Sequence, residues 1–300
     1  MTTLLSYFGN INLTQDQKNA LTKLENFFTS KKKIFVLGGY AGTGKTTILR
    51  GVVDYLKDTD NKKNVVLTAP TGRAAKVLSA RTSYDASTIH RAIYAKDCVV
   101  IKNQKSKDFA EREFTYVFPL QEAPHEVVVI VDEASMLTDN ESHNELFQFG
   151  SGHLLTDLIK YSRDGKIIFV GDVAQLPPVG DTHSVALDVD ILMQMKFSVD
   201  SYVMTEVVRQ SKDNQILNNA IKVRDLLEKP RNERNELVFE TKQDEVESIT
   251  ADAIVDRCVN DLERHNYLQT SSKIICYSNR LAGIYNQHIR QRLYSYPTHV

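Results

Sequence analysis

The sequence predicts an α/β fold in which helices cover both faces of a parallel sheet. Four short apolar runs, at 34–37, 65–67, 127–131 and 167–170, are nearly continuous in β-branched and aliphatic residues, as in strands buried on both faces. Helical or loop material separates them. Each run also ends in a polar or glycine-rich motif, and open parallel sheets bind ligands beyond the carboxyl ends of their strands.

The elements follow in order. Ahead of the first run, Ala20, Leu21, Leu24, Phe27 and Phe28 recur at helical spacing, and Thr14 with Gln17 makes a capping-box pattern at the start. A second helix is expected at 46–56. The stretch 91–126 breaks the rhythm with mixed charge and the aromatics Phe109, Phe114, Tyr116 and Phe118, and reads as an insertion. A last strand-like run, Ile274-Ile275-Cys276-Tyr277, follows a charged, helix-prone stretch and is assigned to a second domain beginning near Tyr202. With 300 residues and 42% apolar content, two domains are the natural expectation, at 1–200 and 201–300.

The net charge of −1 gives no global electrostatic case for a polyanion partner, so any nucleic-acid site must be a local groove. Lys31-Lys32-Lys33 and Lys62-Lys63 read as solvated turns. Cys98, Cys258 and Cys276 lack metal-ligand spacing and fit a reducing compartment. Neither a membrane-length apolar run nor a secretory signal is recognisable, so a cytoplasmic location without membrane contact is expected.

The chemistry is concentrated at the strand ends. Gly39-Tyr40-Ala41-Gly42-Thr43-Gly44-Lys45-Thr46 satisfies the phosphate-loop pattern between a predicted strand and a predicted helix. Its glycines let backbone N–H groups turn inward around phosphate oxygens at a helix N-terminus; Lys45 can reach the β and γ phosphates, and Thr46 can hold Mg²⁺. The loop's expected nucleotide-binding residues are Gly39, Ala41, Gly42, Thr43, Gly44, Lys45, Thr46 and Thr47. The third run delivers Asp132 and Glu133 to a strand end, where one carboxylate can anchor Mg²⁺ and the next can orient or deprotonate an attacking water. In Gly171-Asp172-Val173-Ala174-Gln175-Leu176-Pro177-Pro178 the amide of Gln175 can sense the γ-phosphate or that water.

Together these pieces resemble the RecD and Dda branch of superfamily 1 helicases. The resemblance also takes in Leu13-Thr14-Gln15-Asp16-Gln17, Thr68-Ala69-Pro70-Thr71-Gly72-Arg73-Ala74-Ala75-Lys76, Ser87-Thr88-Ile89-His90, Val131-Asp132-Glu133-Ala134-Ser135-Met136 and Thr205-Glu206-Val207-Val208-Arg209-Gln210, with a weaker echo at Tyr277-Ser278-Asn279-Arg280. It implies a RecA-like first domain, part of a second RecA-like domain, ATP and Mg²⁺ as cofactors, and 5′→3′ action on single-stranded DNA and duplex junctions. Gln17 would contact adenine, beside its local capping role, and Arg209 would be an arginine finger. Pro70, Thr71, Arg73, Thr88 and His90 would border the single-strand groove. The insertion at 91–126 would be a strand-separating β-hairpin, with Tyr116 or Phe118 as wedge and ordinary packing as the competing role.

Two late motifs of that group, a Thr/His/Gln set for DNA and an arginine for the nucleotide, do not occur before Val300. The expectation is an incomplete second domain with weak hydrolysis. Two other readings remain open: an ATPase subunit of a recombination or repair nuclease complex, with nuclease subunits or a single-strand-binding protein as partners, and an ATP- and strand-binding piece without productive turnover. A guanine-nucleotide switch, prompted by Thr241-Lys242-Gln243-Asp244, is disfavoured because the acidic motif is Asp132-Glu133.

Overall fold

The computed structural model describes residues 3–9, 11–58, 63–102, 114–142, 146–178, 180–207, 214–234, 236–264 and 272–294. The chain divides into two compact units, Met1–Gln210 and Ser211–Val300. In the first, the elements run α1 (Gln15–Thr29), β1 (Ile34–Gly39), α2 (Lys45–Lys57), β2 (Val65–Ala69), α3 (Gly72–Thr82), β3 (Ala86–Thr88), α4 (Ile89–Ile93), β4 (Val99–Lys102), β5 (Phe114–Phe118), β6 (Val128–Val131), β7 (Phe147–Phe149), α5 (Leu154–Tyr161), β8 (Lys166–Gly171), α6 (Val189–Gln194) and β9 (Val199–Met204).

Six strands form one sheet in the order β3-β2-β6-β8-β1-β9, and every pairing is parallel. Period-two alternation splits the apolar runs between two cores. Phe35, Leu37, Val128, Ile130, Ile168 and Val170 face α1 and α2, while Ile34, Val36, Val129, Val131, Ile167 and Phe169 face α4, α5 and α6. This is the two-sided burial that makes the strands legible as unbroken apolar runs. α1 starts at a complete capping box: Gln17 N–H donates to Thr14 Oγ1 at 3.2 Å and Thr14 N–H to Gln17 Oε1 at 3.0 Å. Of its predicted apolar stripe, Ala20, Leu21, Leu24 and Phe27 are fully buried and Phe28 is partly buried against the same core.

The first unit extends past the expected boundary at residue 200. β9 lies along β1 from Ile34↔Val199 to Gly39↔Met204 and completes the sheet edge, so Tyr202 belongs to the first unit. The insertion also differs from a simple hairpin. β4 and β5 pair antiparallel, but a third strand, β7, joins β5 in parallel from outside 91–126. Arg91 to Ile93 belong to α4. Phe109 lies outside the described residues.

The second unit contains α7 (Gln215–Glu228), α8 (Ala251–Arg264) and α9 (Asn279–Tyr294). α8 packs against α9 and buries Val255 and Val259. The run at 274–277 is not a ladder strand: among the described residues of this unit it has no strand to pair with, and Ile275 and Tyr277 are exposed. Thr241 to Asp244 lie in an exposed turn closed by reciprocal backbone bonds between Lys242 and Val246. Among the described residues, no helix is long and apolar enough to cross a membrane.

Candidate nucleotide site and nucleic-acid face

The phosphate loop joins β1 to α2. Gly42 and Gly44 take φ of +81° and +83°, a region glycine enters without steric cost. Thr43 is fully buried and its Oγ1 donates to Tyr40 O at 2.8 Å. A Cβ at Gly39 would lie 3.0 Å from that hydroxyl and 3.2 Å from Met204, so a larger residue at the loop's first position would press on both. Lys45 folds over the loop, its Nζ donating to Gly39 O at 2.6 Å and Tyr40 O at 3.0 Å. Thr46 and Thr47 follow in the first turn of α2. Gln17, 4% exposed, donates through Nε2 to Thr43 O at 3.0 Å, so the residue that caps α1 also holds the loop.

β6, β8 and β1 are consecutive in the sheet, which brings the three strand-end motifs together. Asp132 is 8% exposed, with its N–H bonded to Thr68 O at 2.9 Å. Burial, reinforced by the Glu133 charge, pushes its carboxyl up to about 6, against a hydrogen bond from Glu133 N–H and the positive charges of Lys45 and Arg81. Glu133 adopts φ 55° and ψ 37°. That left-handed conformation costs a residue with a side chain about 1–2 kcal/mol. Gln175 Oε1 accepts from the buried Ser135 Oγ at 3.2 Å, linking the loop after β8 to the loop after β6.

Among the described residues there is no cluster of three or more His, Cys, Asp or Glu side chains fit to hold a metal by themselves. The hydroxyl of Thr46 and the carboxylate of Asp132 are hard oxygen donors, and a buried carboxylate with a raised pKa beside a second acid favours a cation. Two such donors suit Mg²⁺ completed by phosphate oxygens and water.

The strand-facing candidates occupy a neighbouring strip. Ala69 of β2 pairs with Thr88 of β3, so the segments that follow emerge side by side. Thr71 Oγ1 caps α3 by accepting from Ala74 N–H at 3.2 Å, and Thr88 Oγ1 caps α4 by accepting from Arg91 N–H at 3.3 Å. Arg73 is exposed in the first turn of α3, and Pro70 is half-buried at the end of β2. The His90 ring stands edge-on to Phe149 at 5.2 Å, and burial of that face lowers its pKa. Phe118 stacks on Phe149 at 4.9 Å and 15°, half-buried at the base of the small sheet, whereas Tyr116, 5.8 Å from Phe147, is 39% exposed. Phe118 thus has a packing role, and Tyr116 is the freer of the two wedge candidates. Phe147 and Phe149 were not anticipated, although the alternation Phe147-Gln148-Phe149 carries a strand signal. Arg209 lies outside the described residues.

A glycine loop between a strand and a helix, with an acid pair at the end of a nearby strand of the same parallel sheet, defines a P-loop nucleotide-binding fold of the RecA-like class. More particularly, the chain belongs to the AAA domain family, whose model matches residues 12–237. The ATP-dependent RecD2 DNA helicase of Deinococcus radiodurans is 28% identical over 209 residues, 69% of this chain and 23% of its own length. The ATP-dependent DNA helicase dda of Enterobacteria phage T4 is 31% identical over 170 residues, 56% of this chain and 33% of its own. A crystal structure of the Pif1 helicase from Candida albicans aligns over 92% of this chain and 61% of its own, with a TM-score of 0.45 and 19% identity. The resemblance to the RecD and Dda branch of superfamily 1 helicases therefore stands on these two relatives as well as on the motifs. The chain spans about a quarter to a third of the length of these two curated relatives.

Proposed function

We propose that this chain is the nucleotide-hydrolysing part of an ATP-driven motor that moves 5′→3′ along single-stranded DNA and opens duplex junctions. The observation that carries this reading is the meeting of Lys45, the Asp132-Glu133 pair and Gln175 at the carboxyl ends of three adjacent parallel strands. Loop amides and Lys45 hold the phosphates. Thr46 and Asp132 hold Mg²⁺, which neutralises charge on the phosphate oxygens when bound. Glu133 orients and deprotonates the attacking water, and Gln175, tethered through Ser135 to the loop carrying Glu133, responds to the γ-phosphate. Arg209 supplies the finger. The helix N-termini at Thr71 and Thr88 grip the strand backbone without reading sequence, as their amides suit phosphate oxygens.

DNA as substrate is supported by the names of the relatives, which include the DNA helicase RRM3 of Saccharomyces cerevisiae. A second reading, an ATPase subunit of a nuclease complex, is favoured by one relative, the RecD subunit of RecBCD from Buchnera aphidicola, 28% identical over 187 residues. The test is ATP hydrolysis with and without single-stranded DNA, with Lys45→Ala and Glu133→Gln as controls. Strand-stimulated turnover lost in both variants supports the motor. Turnover indifferent to strands would leave an ATPase and remove the DNA assignment; strand stimulation seen only after adding a nuclease partner would favour the second reading.

A further inference from the structure

The residue beside Gln17 has contacts that the nucleotide chemistry above does not use. Asp16 lies in the first turn of α1, and its carboxylate accepts from three donors on β9 and the chain that leaves it. Oδ1 takes the Tyr202 hydroxyl at 2.5 Å, and Oδ2 takes the N–H groups of Thr205 and Glu206 at 2.6 and 2.9 Å. The contact is reciprocal, since Asp16 N–H donates to Glu206 Oε2 at 3.3 Å. Burial raises the pKa of Asp16, but the bonds from Glu206, Tyr202 and Thr205 outweigh it and hold the carboxyl below its usual range.

The segment held this way is a wall of the phosphate loop. Tyr40 N–H donates to Met204 O at 3.0 Å. A Cβ added at Gly39 would lie 3.2 Å from Met204, and one added at Gly42 would lie 3.2 Å from Val207 Cγ1. Gln17 grips the loop itself through Thr43 O. A loop whose turns depend on two left-handed glycines has little intrinsic preference for one shape, so its shape must be imposed by neighbours.

We propose that Asp16 is a positioning residue for the phosphate loop, fixing the Thr205–Glu206 segment against it so that the loop amides are set for the phosphates. The inference rests on the nucleotide reading given above. Its test is the affinity of the full chain for a fluorescent ATP analogue, measured well below the melting temperature, for wild type, Asp16→Asn, Asp16→Glu and Tyr202→Phe.

Asp16→Asn is expected to weaken binding about tenfold, the scale of losing one charge-assisted hydrogen bond. Asp16→Glu should recover most of that loss. Tyr202→Phe, which leaves both backbone bonds, should change affinity by about twofold or less. A lower melting temperature for Asp16→Asn with unchanged affinity would overturn the inference, because it would show a structural anchor alone. Folded wild-type protein that fails to bind the analogue would instead remove the nucleotide reading, and this inference with it.

Discussion

Asp132 is the residue at which stability and chemistry pull in opposite directions, and Asp132→Asn measures the conflict. Its carboxyl is pushed up to about 6 from an ordinary 3.8 because burial and the Glu133 charge disfavour ionisation. A raised carboxyl binds more protons in the folded than in the unfolded state between these values. Stability therefore falls as pH rises through that window, and the loss is complete above about pH 6. Two pKa units correspond to about 3 kcal/mol. For a unit of 210 residues that is roughly 6–12 °C in melting temperature. Asparagine keeps the shape and retains an Oδ1 to accept from Glu133 N–H, now 3.0 Å away. The assay is thermal melting in chelator at pH 5 and pH 8, beside ATP turnover with Mg²⁺. Asp132→Asn should melt above wild type at pH 8, show a smaller advantage at pH 5, and lose turnover by at least about a hundredfold. Nucleotide with Mg²⁺ should raise the wild-type melting temperature far more than the variant's. A variant that melts below wild type at pH 8, or whose advantage is the same at both pH values, would refute the reasoning.

Further expectations follow from individual contacts. Gln17→Ala removes two hydrogen bonds, to Thr14 N–H and Thr43 O, and should lower stability by about 2 kcal/mol in chemical denaturation. Gln17→Glu can keep the first bond but sets a carboxylate oxygen against Thr43 O, so it should bind nucleotide more weakly than the alanine variant. Gly150 sits at φ +48°, where an added Cβ would overlap the Asp157 carboxylate and the Tyr94 ring. Gly150→Ala should cost about 2–4 kcal/mol, seen as a lower denaturation midpoint. Tyr116→Ala should reduce duplex opening per ATP hydrolysed while leaving the melting temperature within about 1 °C, because a surface side chain contributes little to stability. Phe118→Ala should lower both, since it strips the stack on Phe149.

What was legible in the sequence is what local contacts determine. The four apolar runs became strands because two-sided burial leaves them no polar alternation, and the phosphate loop was readable because its glycines, lysine and threonine act within eight positions of one another. The expected domain boundary at residue 200 fell inside β9 because this is an edge strand: Asp200 and Ser201 interrupt its apolar pattern, and it pairs on one side with β1. β7 escaped because it joins β5 from 31 residues further along the chain, at Tyr116↔Phe147. The clamp at Asp16 was invisible for the same reason, as its hydroxyl partner is 186 positions away.

Gln17 shows how the two scales meet. The local pattern supported a helix cap and the family resemblance implied an adenine contact, and the hydrogen-bonding capacity of one amide allows both. An amide has one oxygen and two N–H hydrogens. Thr14 N–H takes the oxygen and Thr43 O takes one hydrogen, which leaves the second hydrogen of Nε2 to meet a ring-nitrogen acceptor without breaking the cap or releasing the loop. A base recognised this way would be read by a side chain already held at two points, so little rotamer freedom would remain to be lost on binding.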